Sequence, residues 1–105
     1  LKKRVTEFSQ WLRNRHLEVA DPPSQIFPLI TGERGKVSEA SQVLKRHGIF
    51  GVPIRYPTVP RNRERVRVSL SALHRDEDIE QLKQGIRALL DRDLLKIEQE
   101  STSSD

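Results

Sequence analysis

Cysteine is absent from this 105-residue chain, and so is methionine. Without thiols there is no disulfide staple and no thiolate metal site, and the composition fits a reducing compartment such as the cytoplasm. Aromatic residues are scarce, with one Trp, one Tyr and three Phe, which leaves few platforms on which nucleic-acid bases could stack. No apolar run approaches the roughly 18–20 residues of a membrane span, and no secretory leader pattern is present. Acids are outnumbered, 15 against 19 Lys and Arg, for a net charge of +4. The bases are scattered among the acids, so neither nucleic acid nor a membrane is expected as a partner. The sequence opens Leu1-Lys2-Lys3 without a start methionine and reads as a fragment of a longer polypeptide.

A chain of this length has room for one hydrophobic core. Leu1, Val5, Phe8 and Leu12 recur at helical spacing with Trp11 beside them, which predicts an amphipathic packing helix over 3–15. Asp21-Pro22-Pro23-Ser24 breaks the chain. The apolar run at 25–31 then reads as a strand, and Pro28 within it argues for a sheet edge. Val37, Ala40, Val43 and Leu44 make one face of a second helix over 37–47, ended by Gly48 as a left-handed cap. Ile79, Leu82, Ile86, Leu89 and Leu90 give a third helix, over 76–95, its apolar stripe. Gly85 within it reads as a point of close packing.

Between the second and third helices lies the most informative stretch. Phe50, Val52 and Ile54 alternate with Gly51, Pro53 and Arg55, and Val66, Val68 and Leu70 alternate with Arg65, Arg67 and Ser69. Alternation sends successive side chains to opposite faces of a sheet. The expectation is an antiparallel hairpin of strands at 50–55 and 65–71, aliphatic on the face that the helices cover and carrying Arg55 and Arg67 on the other. Those two arginines, with Thr58 in the loop, read either as a small anion site or as solvated strand residues paired with acids. Asn62 suits the left-handed position of the turn. The resulting fold class is α/β (α+β): a two-layer sandwich with a mainly antiparallel three-stranded sheet and helices on one face.

Several tempting motifs carry no chemistry. T-G-E-R-G-K at 31–36 lacks the glycine spacing and the hydroxyl residue of a phosphate loop and reads as a turn. His74-Arg75-Asp76 spells a kinase tripeptide without the residues a kinase needs around it. Asp76, Glu77 and Asp78 instead place negative charge at a helix start. His47 belongs to a helix end.

I-R-Y-P-T-V-P at 54–60 and R-V-R-V-S-L-S-A-L-H at 65–74, running into D-E-D-I, resemble the C-terminal small domain of the α-oxoamine synthases. These are acyltransferases of the aspartate-aminotransferase fold, dependent on pyridoxal phosphate (PLP). The similarity covers about 1–97 and is sharpest over 48–79. The Arg55 start and the S-L-S-A-L-H ending are similar to the biotin-pathway branch, which condenses L-alanine with a pimeloyl thioester. A hydroxyl residue is usual in that family where Arg75 stands here, which leaves Asp76 to cap the helix.

The resemblance implies that Arg67, second Arg of R-x-R, binds the carboxylate of the amino-acid substrate, that Thr58 contacts substrate, and that Arg55 is a further candidate. It implies PLP as cofactor, held by a lysine outside this chain, since Lys2, Lys3, Lys36, Lys45, Lys83 and Lys96 fall in no matching motif. It also implies an amino acid and an acyl thioester as substrates, a homodimer formed through a missing large domain, and no catalysis by the fragment alone. Residues 1–97 are then the small domain, and 98–105 a disordered tail. Two other readings remain open: a sister synthase using glycine or serine, and a standalone basic module that binds RNA or an acidic protein.

Overall fold

Six elements follow one another among the described residues: α1 (Lys2–Arg13), β1 (Ile26–Gly32), α2 (Lys36–Arg46), β2 (Val52–Ile54), β3 (Glu64–Ser69) and α3 (Asp76–Asp91). The structure is a computed structural model, and it describes residues 2–20, 22–32, 35–71 and 75–98. The three strands form one sheet in the order β1-β3-β2, antiparallel at both junctions. The hairpin, the helices and the two-layer α/β class follow the expectation. Pro28 and Pro53 both stand on edge strands, where a missing backbone donor is tolerated.

The helices cover one face of the sheet. Phe27 and Leu29 of β1 and Val66 and Val68 of β3 point toward them and are buried. Phe8 of α1 meets Phe27 edge-on, with ring centroids 4.9 Å apart. α2 and α3 add Val37, Ala40, Val43, Leu44, Leu82, Ile86 and Leu89 to the same core. Gly85 is a point of close packing: a Cβ there would stand 2.7 Å from Ile49 Cδ1 and 3.1 Å from Leu44 Cδ2 of α2.

Local chemistry explains the ends of the elements. Gly48 has φ 77°, and the N–H groups of Gly48 and Ile49 reach back to the carbonyls of Lys45 and Leu44, closing α2. His47 Nδ1 lies 3.0 Å from the Val43 carbonyl, which confirms its part in that helix end. Asn62 takes φ 69°, as the turn requires. α1 ends two residues sooner than the spacing predicts, with His16 at φ 63° and Leu17 folded under.

Three expectations need correction. First, β2 is inverted. Its register sets Val52 opposite Arg67, Pro53 opposite Val66 and Ile54 opposite Arg65. Val52 and Ile54 therefore share the uncovered face with the arginines, and Val52 and Phe50 are 50% and 76% exposed. The helix-facing place is taken by Gly51, where any side chain would run into Val66 Cγ1. Second, α3 stops at Asp91, not 95, because Asp93 turns to φ 57° and Leu94 and Leu95 tuck into the core. Third, Arg75, not Asp76, is the N-cap residue, and Asp78 accepts the Arg75 N–H at 2.9 Å. Asp76 instead accepts from Arg4 Nη2 at 3.1 Å. Of the expected tail, only Glu98 lies within the described residues, and its N–H donates to the His16 carbonyl.

Candidate functional site

The strand register decides which charged side chains can act together. Arg67 pairs with Val52 on one side and Pro28 on the other, so its side chain leaves the face of the sheet that no helix covers. Arg55 follows Ile54 by one residue and belongs to the opposite face, where its Nη2 donates to Ser38 Oγ on α2 at 2.7 Å. The expected joint site of Arg55 and Arg67 is therefore not formed. Adjacent residues of β2 cannot share a face, and here the parity falls against Arg55.

Arg67 is exposed, and no hydrogen bond or ion pair joins its guanidinium to another described residue. Its surroundings are apolar. Val52 and Pro28 flank it across the ladder, with Ile26 and Ile54 on the diagonals. Aliphatic side chains that would be buried in an ordinary sheet stay wet here, Ile26 at 41% and Val52 at 50% exposure. Ser69 and Arg65, two residues to either side, complete the outward row of β3. A guanidinium with all its donors free is suited to a planar anion, because its fork matches the two oxygens of a carboxylate.

Thr58 sits in the loop between β2 and β3, exposed, after the cis Tyr56-Pro57 bond. Like Arg67, it makes no hydrogen bond to a described residue. The loop is braced from below. Glu64 is buried, and its carboxylate accepts the Tyr56 N–H at 3.0 Å, while Arg61 stacks over the Tyr56 ring at 4.4 Å. Arg55, Arg61, Tyr56, Ser38 and Glu64 border a cavity of about 450 Å³ on the helix side, away from Arg67. Nothing in the sequence singles out this carboxylate except its place two residues before Val66, in the inward phase of β3.

The six lysines are dispersed over the surface of the domain. Lys36 donates to the Asp93 carbonyl at 2.9 Å. Lys83 lies 5.6 Å from the centre of the Trp11 ring, and Lys2, Lys3, Lys45 and Lys96 are exposed. No described residues cluster as metal ligands, and no described helix is long and apolar enough to cross a membrane.

The family model for aminotransferase class I and II matches residues 1–86. The 8-amino-7-oxononanoate synthase of Hahella chejuensis is 38% identical over 82 residues, which cover 78% of this chain and 21% of that protein. The enzyme of the same name from Erwinia tasmaniensis is 36% identical over 88 residues, 84% of this chain and 23% of its own length. The 5-aminolevulinate synthase of Bradyrhizobium diazoefficiens is 34% identical over 113 residues, 92% of this chain and 28% of its length. The chain thus spans between a fifth and three tenths of these relatives.

Proposed function

The chain belongs to the aminotransferase class I and II family, and from that premise we propose that it is the C-terminal small domain, residues 1–97, of a PLP-dependent α-oxoamine synthase. The reaction we assign to the full-length protein is condensation of L-alanine with a pimeloyl thioester to give 8-amino-7-oxononanoate. PLP would supply the electron sink for decarboxylative condensation, and its seat falls outside this chain. The same holds for the homodimer contact. A cytoplasmic setting suits a thiol-free enzyme of this kind.

One observation carries the reading: the Arg67 guanidinium has no partner among the described residues and stands in the middle of the sheet face that no helix covers. Its part is to bind and orient. A carboxylate received on the guanidinium by two charge-assisted hydrogen bonds is fixed in position and plane, and the aliphatic neighbours lower the local dielectric and so strengthen the contact. Thr58 would add a hydroxyl to substrate from the adjoining loop. Arg55, tied to Ser38 on the other face, takes no part in this grip.

The test is titration of the full-length holoenzyme with L-alanine, followed through the absorbance of the cofactor. Arg67→Ala should weaken binding by about 1.5–3 kcal/mol, the range for a hydrogen bond to a charged group. Arg67→Lys should restore only part of it, because an ammonium lacks the planar fork. An Arg67→Ala enzyme that titrates like wild type sinks the assignment. Glycine or serine titrating more tightly than alanine would transfer the domain to a sister synthase.

A further inference from the structure

The uncovered face holds a second guanidinium. Arg65 precedes Arg67 by two residues on β3, so both side chains leave the same face, about 6.6–6.8 Å apart along the strand. The two are held differently. Arg65 is half-buried, and its Nε–H donates to the Arg63 carbonyl at 3.0 Å. Arg63 is fixed in turn, its Nη2 reaching both carboxylate oxygens of Glu18 at 3.0 and 2.9 Å. A guanidinium held through Nε keeps its two Nη groups for another partner, and none of the described residues takes them.

The apolar setting continues along the strand. Ile54 and Ile30 flank Arg65 as Val52 and Pro28 flank Arg67, and Ile30 is buried whereas Val52 is exposed. None of the outward positions of the three strands carries a carboxylate. At the Arg65 end of the face Glu18 is already taken by Arg63, and the exposed Glu98 borders the same cavity as Ile30 and Arg63. Two cations one strand repeat apart, each between aliphatic side chains, complement a short methylene chain that ends in an anion.

We infer that Arg65 binds the distal carboxylate of the acyl substrate, so that this domain selects an ω-carboxyacyl thioester over a plain acyl thioester of the same length. The inference rests on Arg67 as the amino-acid anchor, which leaves Arg65 as the free cation for the acyl partner. The fixed Nε contact makes Arg65 a preformed fork, with little side-chain freedom left to lose on binding.

Pimelate and heptanoate, which differ only in the second carboxylate, probe the site without turnover. In calorimetric titrations of the full-length holoenzyme, pimelate should bind at least about tenfold more tightly than heptanoate, the factor expected for one charge-assisted contact. Arg65→Gln should erase that preference and leave heptanoate binding as it was; Arg65→Lys should keep part of it. In turnover, Arg65→Gln should raise KM for the pimeloyl thioester while the alanine titration stays unchanged. Equal binding of the two acids by the wild-type protein overturns the inference, and that comparison needs no variant to fold. A preference that survives Arg65→Gln overturns it as well. Failure of the Arg67 reading appears elsewhere, as an unchanged alanine titration in Arg67→Ala.

Discussion

β3 presents two sets of side chains that differ in nearly every respect. Glu64, Val66 and Val68 face the helices and are no more than 7% exposed, and the one charge among them has the Tyr56 N–H as its partner. Arg65, Arg67 and Ser69 face away; Ile26 and Val52 beside Arg67 are left in water, and only at the Arg65 end is a neighbour, Ile30, buried. Folding accounts fully for the first set, since burial of apolar surface and satisfaction of polar groups are what stabilise a domain. It does not account for the second. A guanidinium without a partner among the described residues, beside exposed Ile26 and Val52, adds little to the stability of the domain that carries it.

The sharpest test of this contrast sets two phenylalanines against each other. Phe27 is 2% exposed and touches Phe8, whereas Phe50 is 76% exposed. Phe27→Ala should lower the unfolding free energy by about 3–5 kcal/mol, and Phe50→Ala should change it by no more than about 0.5 kcal/mol, both read from urea unfolding. Comparable losses would mean that the uncovered side is part of the core after all. Glu64→Ala comes next: it strips the acceptor from the Tyr56 N–H and should cost about 1–3 kcal/mol. Ser69→Ala, outward on the same strand, should stay within about 0.5 kcal/mol. The smallest effect is expected of Arg55→Ala, which loses one exposed hydrogen bond to Ser38 and no more than about 0.5 kcal/mol. Its alanine titration should match wild type. If Arg55→Ala instead weakens alanine as Arg67→Ala does, the two faces are not functionally separate.

Much of this was legible in the chain itself, and the exceptions have a common cause. Pro28 placed β1 at an edge, Gly48 and Asn62 marked left-handed positions, and the apolar stripes of the helices pointed to the core, because each of those signals is local. The face of β2 was misread because alternation reports which residues share a side, not which side is buried. Phe50, Val52 and Ile54 form the more hydrophobic phase, which on that signal alone points inward. What decided the matter was Val66, a strand away, which leaves room for nothing larger than Gly51. The same long-range fact separated Arg55 from Arg67. The early end of α3 was hidden for a different reason: Asp93 adopts a conformation that glycine would have advertised. Arg67 itself was legible only through the resemblance, since nothing local distinguishes it from the other arginines.

The strand order has a consequence in time. β3 is hydrogen-bonded on both sides, to β1 and to β2, while each of those strands has a single strand neighbour. Fluctuations that peel away one edge leave the other ladder in place, and local openings of this sort need less free energy than global unfolding. Amide protons of 65–68 should therefore be among the slowest in the chain to exchange with solvent. The two guanidiniums ride on the segment that moves last, so their spacing persists through the openings that loosen either edge.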